Sequence, residues 1–285
     1  PEPIKPRYSF EISPSRPGGY KQELDASIKT IEVNPESAEA WNNKGAALGE
    51  LGRQEEALAA TNKATDISPE LAEAWNNKGN ALSRLGRYEE ALAAYKKAIE
   101  TNQQLAAAHA NLAEVLFNLG ALEPALTYVN RALSLDDRLA PALLLKGRIE
   151  IERNEYVRAD QSLAQAIAFD LTNPVPYLWR AYASYLEAES APIRESRQYQ
   201  AKIVSIIRQL ERASGLLKPG NKGLRAYVLY CLGCLHYKTG NMLGAKRRLQ
   251  ECVSLKSKSP IESSARELLN AIWDYAIRPS WWRWW

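Results

Sequence analysis

Three cysteines and one histidine in the last third of the chain have residue types and spacing that could bind a metal or support redox chemistry. Cys231 and Cys234 form a Cys-x-x-Cys pair, His236 follows two residues later, and Cys252 is the third cysteine. A structural zinc site needs four ligands, and the sequence has no second Cys or His pair to supply them. Helical spacing puts Cys231 and Cys234 on one face. We therefore expect core cysteines, with no metal and no cofactor.

Other catalytic patterns are missing from the sequence. It contains no Gly-rich phosphate loop, no nucleophile elbow and no pair of carboxylates at a catalytic spacing. We therefore expect no catalytic residues and a protein that is not an enzyme. Free thiols are typical of a reducing compartment, so the expected location is the cytoplasm.

A second set of chemically capable side chains is a row of asparagines in the first half of the chain. The six residues are Asn42, Asn43, Asn76, Asn77, Asn80 and Asn111. An amide offers two N–H donors and an acceptor, so it can pair with both the N–H and the C=O groups of an extended peptide without reading its side chains. The alternative is that these amides only bond to neighbouring helices or to water. The sequence leaves both interpretations open.

The segment that carries these amides is written three times in succession. Residues 38–71 read AEAWNNKGAALGELGRQEEALAATNKATDISPEL, and residues 72–105 read AEAWNNKGNALSRLGRYEEALAAYKKAIETNQQL. These two copies are identical at 22 of 34 positions, and residues 106–139 keep the same pattern of large and small residues. A fixed period of this length predicts helix pairs that must stack on their neighbours to bury an apolar face.

Fixed offsets within each copy identify the type of repeat. Offset four is large and offsets eight, 20 and 27 are small: Trp41, Trp75 and His109; Gly45, Gly79 and Ala113; Ala57, Ala91 and Ala125; Ala64, Ala98 and Ala132. The pattern resembles the tetratricopeptide repeat (TPR) family. The resemblance implies an all-α fold, a right-handed superhelical solenoid of antiparallel helix pairs with a C-terminal capping helix. His109 replaces the repeat tryptophan, and we expect it to be a packing residue.

The period and the local composition divide the chain into segments. We predict an extended or flexible, proline-rich arm at 1–19, a half-repeat helix at 20–37 and four repeats at 38–71, 72–105, 106–139 and 140–173. A divergent, irregular repeat at 174–223 follows, then a further repeat at 224–259, a capping helix at 260–278 and a tryptophan-rich tail at 279–285. An alternative for the arm is that Tyr8 and Phe10 dock against the first helices.

The family resemblance implies that the first helix of each repeat lines a concave groove. In that setting the asparagines are similar to the ladder of the O-linked N-acetylglucosamine transferase superhelix, which holds the main chain of an extended peptide. The carboxylate clamp of co-chaperones fits poorly, because its final basic pair is missing. The function we expect is therefore a protein–protein interaction scaffold that binds an extended peptide or a partner helix.

Further along the chain, the same inward offsets become apolar and aromatic. They include Leu145, Arg148, Trp179 and Tyr182, which we predict to belong to the peptide-binding groove. Such a surface suits an amphipathic helix or a hydrophobic peptide. The alternative is that a helical stretch at 190–218 folds against these residues and buries them.

Charge and the C-terminal tail favour a second function. Residues 1–190 hold 20 Lys and Arg against 27 Asp and Glu, whereas residues 191–285 hold 17 against six. The tail carries four tryptophans and an arginine, namely Trp281, Trp282, Arg283, Trp284 and Trp285. Trp is enriched at membrane interfaces, and basic residues gather on the cytoplasmic side. The alternative function is therefore a membrane-proximal cytoplasmic adaptor that contacts an anionic membrane surface or precedes a removed transmembrane segment.

Two other kinds of partner are not supported by the sequence. Nucleic acid is disfavoured, because aromatics are not interleaved with the basic residues and no nucleic-acid motif is present. Nothing in the pattern specifies an oligomeric state.

Overall fold

The computed structural model describes residues 17–190, 197–218, 220–257 and 260–277, which form fourteen α-helices and no strand. The helices are α1 (Pro17–Val33), α2 (Ala38–Glu50), α3 (Gln54–Ile67), α4 (Ala72–Arg84), α5 (Tyr88–Thr101), α6 (Ala106–Asn118), α7 (Leu122–Leu135), α8 (Ala140–Glu152), α9 (Tyr156–Phe169), α10 (Pro174–Ser190), α11 (Arg197–Leu216), α12 (Lys222–Lys238), α13 (Met242–Ser254) and α14 (Pro260–Ile277).

The helices pack in chain order within two compact units, the first ending at Ile149 and the second beginning at Glu150. In the first unit each odd helix packs on the even helix before it, and α2, α4 and α6 also contact one another in sequence. In the second unit α9 to α13 pack consecutively, and α14 contacts α12 and α13. Contacts between sequence neighbours alone are the mark of a solenoid, so the predicted all-α solenoid is confirmed.

The turn inside each helix pair uses one left-handed residue. Gly52, Gly86 and Gly120 have φ between +75° and +81°, and they follow α2, α4 and α6 at intervals of one period. Asn154 takes the same place after α8 with φ +61°. A left-handed residue ends an α-helix and leaves its last carbonyls bonded, and Gly and Asn tolerate that conformation best. This turn chemistry sets the length of the first helix of each repeat.

The small residue at offset eight lets the two helices of a pair touch. A Cβ atom added at Gly45 would lie 2.5 Å from Thr61 Cγ2 on α3, and one added at Gly79 would lie 2.5 Å from the Tyr95 ring on α5. Glycine is therefore required by space at these two positions, not by backbone conformation.

Helix α1 packs on α2 and presents a polar outer face. One period later, the residues equivalent to Glu23 and Thr30 are Ala57 and Ala64, which α2 buries almost completely. On α1 both residues are exposed. A polar outer face suits a terminal helix that carries no further helix of the described residues on that side.

The predicted break in the period after residue 173 is mainly a change in helix length. Helix α10 has 17 residues and α11 has 20, compared with 13 and 14 in α2 and α3. The two still pack as a pair. Helix α14 follows the last pair and buries Ile261, Ala265, Leu268 and Ile272 along one side, which is the arrangement that a capping helix needs. The predicted segment boundaries remain otherwise untested.

The large residue at offset four ties each repeat to the turn before it. The indole Nε1 atoms of Trp41 and Trp75 donate to the carbonyl oxygens of Pro35 and Pro69, both at 2.8 Å. His109 Nε2 lies 3.1 Å from the equivalent carbonyl oxygen, that of Gln103. Because a carbonyl only accepts, this nitrogen carries the proton. His109 therefore keeps the hydrogen bond of the tryptophan that it replaces.

The smaller ring of His109 is matched by a larger neighbour. Tyr128 lies with its ring centroid 6.1 Å from that of His109. At the position of Tyr128 the two preceding copies have Ala60 and Ala94. The third copy thus exchanges a Trp–Ala combination for a His–Tyr combination, which conserves volume between the helices.

This exchange predicts a compensating pair of mutations. His109→Trp alone should reduce the free energy of unfolding by about 1–3 kcal/mol, because the indole overpacks against Tyr128. Adding Tyr128→Ala should recover most of that loss. Urea denaturation of both single variants and the double variant measures the coupling. Purely additive effects would show that the two side chains do not share one space.

Candidate functional site

The six predicted amides lie on the first helices of the first three repeats, which contact one another in sequence. Asn42 and Asn43 belong to α2, the next three to α4, and Asn111 to α6. Asn42 and Asn76 are buried, at 9% and 8% exposure. Asn77, Asn80 and Asn111 are half-buried, and Asn43 is exposed. We call these six side chains the amide ladder.

Hydrogen bonds between neighbouring helices hold most of the amide ladder. Asn77 Nδ2 donates to Asn42 Oδ1 at 2.9 Å, which joins α4 to α2. One period later, Asn111 Nδ2 donates to Asn76 Oδ1 at 3.0 Å, and it also donates to Asn80 Oδ1 at 3.0 Å. These bonds support the alternative in which the amides link neighbouring helices. They also align the side chains, and they leave part of the hydrogen-bonding capacity unused.

The unused capacity faces outward. Asn43 makes no hydrogen bond within the described part of the chain, and neither does the Oδ1 atom of Asn111. Asn77 keeps its second N–H, and its Oδ1 accepts only a long bond of 3.5 Å from Asn80. Each primary amide has two donors and two lone pairs, so these three residues retain both donors and acceptors for a ligand.

Two hollows border the ladder and share Ala46 in their lining. The first has a volume of about 470 Å³ and lies between α1 and α2, where Glu23, Ser27, Glu39 and Asn43 line it. The second has a volume of about 70 Å³ and lies between α2 and α4. The two hollows together form a polar surface beside the exposed end of the ladder.

An arginine clip closes one end of the smaller hollow. Arg84 donates from Nη1 to the carbonyl oxygen of Gly49 at 2.6 Å, and from Nη2 to Glu50 Oε1 at 2.7 Å. Gln54 Nε2 donates to the same carbonyl at 2.9 Å. The clip thus bonds a terminal carbonyl of α2, which the helix itself leaves without a partner, and ties α4 to α2.

Sequence analysis missed one member of this site, Tyr95 of α5. Its hydroxyl donates to Asn80 Oδ1 at 2.8 Å, and its ring packs against Gly79 with 2% exposure. Burial, reinforced by the charge of Glu114, raises the pKa of Tyr95 above its usual value, so the hydroxyl stays protonated and can donate. A signal was available, because the first copy has Thr61 and Ala46 at the positions of Tyr95 and Asn80.

The predicted apolar part of the groove is largely buried. Leu145 is 3% exposed and Arg148 is 6% exposed. The Arg148 guanidinium lies 4.8 Å from the centre of the Phe117 ring, and its Nη1 lies 3.5 Å from Glu114 Oε1. These two side chains therefore offer little surface to a ligand.

The aromatic residues of α10 behave similarly. Trp179 is 2% exposed and meets Tyr182 edge-on, with ring centroids 6.2 Å apart. Tyr182 keeps partial exposure. The neighbouring Tyr185 lies in one core cluster with Ile203 and Ile206 of α11. That contact is the one expected from the alternative in which the stretch 190–218 folds over this face. Any role of Trp179 and Tyr182 in binding remains a prediction.

Some predicted features fall outside the described residues. They are the N-terminal arm up to residue 16, with Tyr8 and Phe10, and the tail residues Trp281, Trp282, Arg283, Trp284 and Trp285.

The three cysteines are buried in the second unit as free thiols. Cys252 Sγ donates to the carbonyl oxygen of Ala226 at 3.3 Å. Burial raises the pKa of Cys234 to about 11 and that of Cys252 to about 12. Within the described ranges, no group of three or more His, Cys, Asp and Glu side chains is placed to hold a metal ion.

These raised pKa values predict slow thiol chemistry and a stability that falls at high pH. Above pH 9 the unfolded chain loses thiol protons that the folded chain retains. The unfolded state therefore binds fewer protons, and stability decreases from pH 9 towards pH 12. Below pH 9 this contribution does not change with pH. Thiol-reactive dye at pH 8 should label Cys234 and Cys252 only after denaturation, and rapid labelling of the native protein would contradict their burial.

None of the helices that the structure describes has the length and apolar character needed to cross a bilayer.

Comparisons with known proteins agree with the repeat pattern. Three stretches match family profiles described as Tetratricopeptide repeat, at residues 28–59, 72–105 and 106–138. A search of curated protein sequences found no match.

Solved structures share the fold at low sequence identity. A chain of the APC/C hetero-tetramer Cut9–Hcn1 is similar over 90% of this chain, with a TM-score of 0.67 and 17% identity. This chain spans 46% of that protein's length. PilF of Pseudomonas aeruginosa matches over 87% of this chain and 99% of its own, with a TM-score of 0.64 and 16% identity. A tetratricopeptide repeat protein from Parabacteroides merdae matches over 88% and 90% respectively, with a TM-score of 0.57 and 17% identity.

The family profiles, the 34-residue period and the stacked helix pairs agree with one another. Repeats of this kind generally form scaffolds for protein interaction, commonly without catalysis of their own. The chain is a tetratricopeptide repeat protein.

Proposed function

We propose that this protein is a non-catalytic scaffold that binds an extended peptide segment of a partner protein along the amide ladder. The observation that carries the proposal is the unused hydrogen-bonding capacity of Asn43, Asn77 and Asn111 at intervals of one repeat. An extended chain presents alternating N–H and C=O groups, which primary amides can bind in either sense. The two bordering hollows provide room beside the ladder.

Asn43 gives the cleanest test of this proposal. Its side chain is exposed and makes no hydrogen bond within the described residues, so Asn43→Ala should leave folding unchanged. Alanine at position 77 or 111 would also remove bonds between helices, which would confound binding with stability.

The experiment is a lysate pull-down with quantitative mass spectrometry. Asn43→Ala should lower the recovery of one partner by about two- to tenfold, the equivalent of one lost hydrogen bond. The matched control is Asn130→Ala, an exposed asparagine on α7, the second helix of its repeat. Equal partner recovery from wild type and Asn43→Ala, or the same loss from Asn130→Ala, would count against the ladder.

A second function, contact with an anionic membrane surface, is favoured by the charge of α11 and α13. Arg208 and Arg212 are exposed one turn apart on α11, and Arg247 is exposed on α13. Arg248 on α13 bonds Glu211 on α11 at 3.3 Å, which brings the two helices together. Cosedimentation with phosphatidylserine vesicles should exceed that with phosphatidylcholine vesicles and fall for Arg208→Glu/Arg212→Glu. Equal sedimentation with both vesicle types would remove this function.

A further inference from the structure

A chain of hydrogen bonds runs from the core of the second repeat to the amide ladder. Tyr95, buried in α5, donates to Asn80 Oδ1 at 2.8 Å. The same oxygen accepts a second bond of 3.0 Å from Asn111 Nδ2 on α6. With both bonds made, Asn80 Oδ1 has no lone pair left for a ligand.

Tyr95 is itself held in place. Its ring fills the space beside Gly79, where a Cβ atom would lie 2.5 to 2.9 Å from three ring atoms. Its hydroxyl also has a hydrogen bond with the side chain of Ser83. The ring has 2% exposure and cannot swing away, so the hydroxyl is a fixed reference for the orientation of Asn80.

The orientation of Asn80 determines which end of Asn111 faces a ligand. Asn111 Nδ2 has two protons, and its two bonds to Asn76 Oδ1 and Asn80 Oδ1 use both. Only Asn111 Oδ1 remains, and it accepts no bond from the described residues. This member of the ladder therefore offers an acceptor and no donor.

The first repeat has no counterpart of this arrangement. Thr61 occupies the position of Tyr95, and its hydroxyl donates to carbonyl oxygens of its own helix at 2.9 Å and 3.1 Å. Ala46 occupies the position of Asn80. Asn43 and Asn77 consequently keep N–H donors, and Asn111 does not.

We propose that Tyr95 is a positioning residue that makes Asn111 an acceptor-only contact, so that a bound peptide must present a main-chain N–H at this point. The inference rests on the proposed function, because it assumes that the ladder meets a peptide. It adds a direction to the ladder: a donor is required at Asn111, whereas Asn43 accepts either group. A peptide bound in the wrong register would place a carbonyl oxygen against Asn111 Oδ1.

Two small amides test this polarity without knowledge of the natural partner. N-methylacetamide carries one N–H, as a peptide bond does, and N,N-dimethylacetamide has only its carbonyl. In NMR titrations of the full chain, N-methylacetamide should shift the side-chain carbonyl resonance of Asn111 several-fold more than N,N-dimethylacetamide. Equal shifts, or a larger shift with N,N-dimethylacetamide, would show that Asn111 presents its N–H instead. No shift with either compound would remove Asn111 from the binding surface.

Tyr95→Phe tests the positioning role. It retains the ring and removes the hydroxyl, so Asn80 and Asn111 should lose their fixed orientation. Hydrogen exchange of the Asn111 side-chain amide should accelerate by roughly two- to tenfold, as expected for one lost hydrogen bond. The preference for N-methylacetamide should also disappear. The matched control is Tyr88→Phe on the same helix, because the Tyr88 hydroxyl makes no hydrogen bond within the described residues.

A second variant covers the case in which Tyr95→Phe fails to fold. Asn80→Ala removes the shared acceptor directly and should free one N–H of Asn111 in the same way. If Asn111 keeps its preference in the folded variants, Tyr95 has no positioning role. That result would leave the partner loss in Asn43→Ala untouched, so this inference and the proposed function fail separately.

Discussion

Gly79→Ala should destabilise the first unit by about 2 kcal/mol. Alanine improves helix propensity by about 1 kcal/mol, which favours the variant. Against this, the new Cβ would lie 2.5, 2.6 and 2.9 Å from three atoms of the Tyr95 ring. Overpacking of this kind costs up to roughly 3 kcal/mol, and the hydroxyl bond to Asn80 prevents the ring from moving aside. The clash therefore outweighs the propensity.

The measurement is urea denaturation followed by circular dichroism. The control is Gly215→Ala on α11, where an added Cβ meets nothing within 4 Å. That variant should be stabilised by up to about 1 kcal/mol, because only the backbone effect operates. If Gly79→Ala were as stable as Gly215→Ala, the close contact between α4 and α5 would be wrong, and so would the fixed position of Tyr95.

Glu189→Ala should destabilise the second unit by about 2–3 kcal/mol. Lys238 Nζ of α12 donates to Glu189 Oε1 at 2.9 Å and to the Tyr185 hydroxyl at 2.6 Å. Tyr199 of α11 donates to the same carboxylate oxygen at 2.9 Å. The Glu189 and Lys238 side chains are only 14% and 21% exposed. Removing one partner of a buried pair leaves the other charge uncompensated, which is the costly case.

The same measurement on an exposed ion pair is the control. Arg53 and Glu56 form a bidentate pair at 2.6 Å, but both side chains are about half exposed, so Glu56→Gln should not change stability measurably. A Glu189→Ala variant with wild-type stability would mean that water replaces the carboxylate, and that α10, α11 and α12 are held together by apolar contacts alone.

The fold could be predicted from the period, because a repeat fixes the local structure many times over. The turn glycines Gly52 and Gly86 and the small residues Gly45 and Gly79 mark each helix and each close contact. The exchange of Trp for His109 was visible, but its compensation by Tyr128 required knowledge of which side chains meet.

The candidate site was only partly predictable. Sequence offsets place a residue on a face of a helix, so the positions of Asn43, Asn77 and Asn111 followed from the period. Offsets do not specify which amide bonds which neighbour, and the bonds between α2, α4 and α6 were therefore not foreseen in detail. Tyr95 was missed because it lies on the second helix of its repeat, away from the expected groove.

The apolar positions were the least predictable. The inward offsets of the regular repeat also assigned Leu145 and Trp179 to the groove. Both are at most 3% exposed. Burial depends on what packs over a face, and a single-helix pattern carries no information on that.

Site-specific photocrosslinking is the most direct test of the claim that the amide ladder binds a partner. A photoreactive amino acid in place of Asn43 samples the ladder, and one in place of Asn130 samples the second-helix face of α7. The account predicts that, in cells, a crosslinked partner forms from position 43 and not from position 130. A partner captured from position 130 alone would place binding on the opposite set of helices and contradict the account.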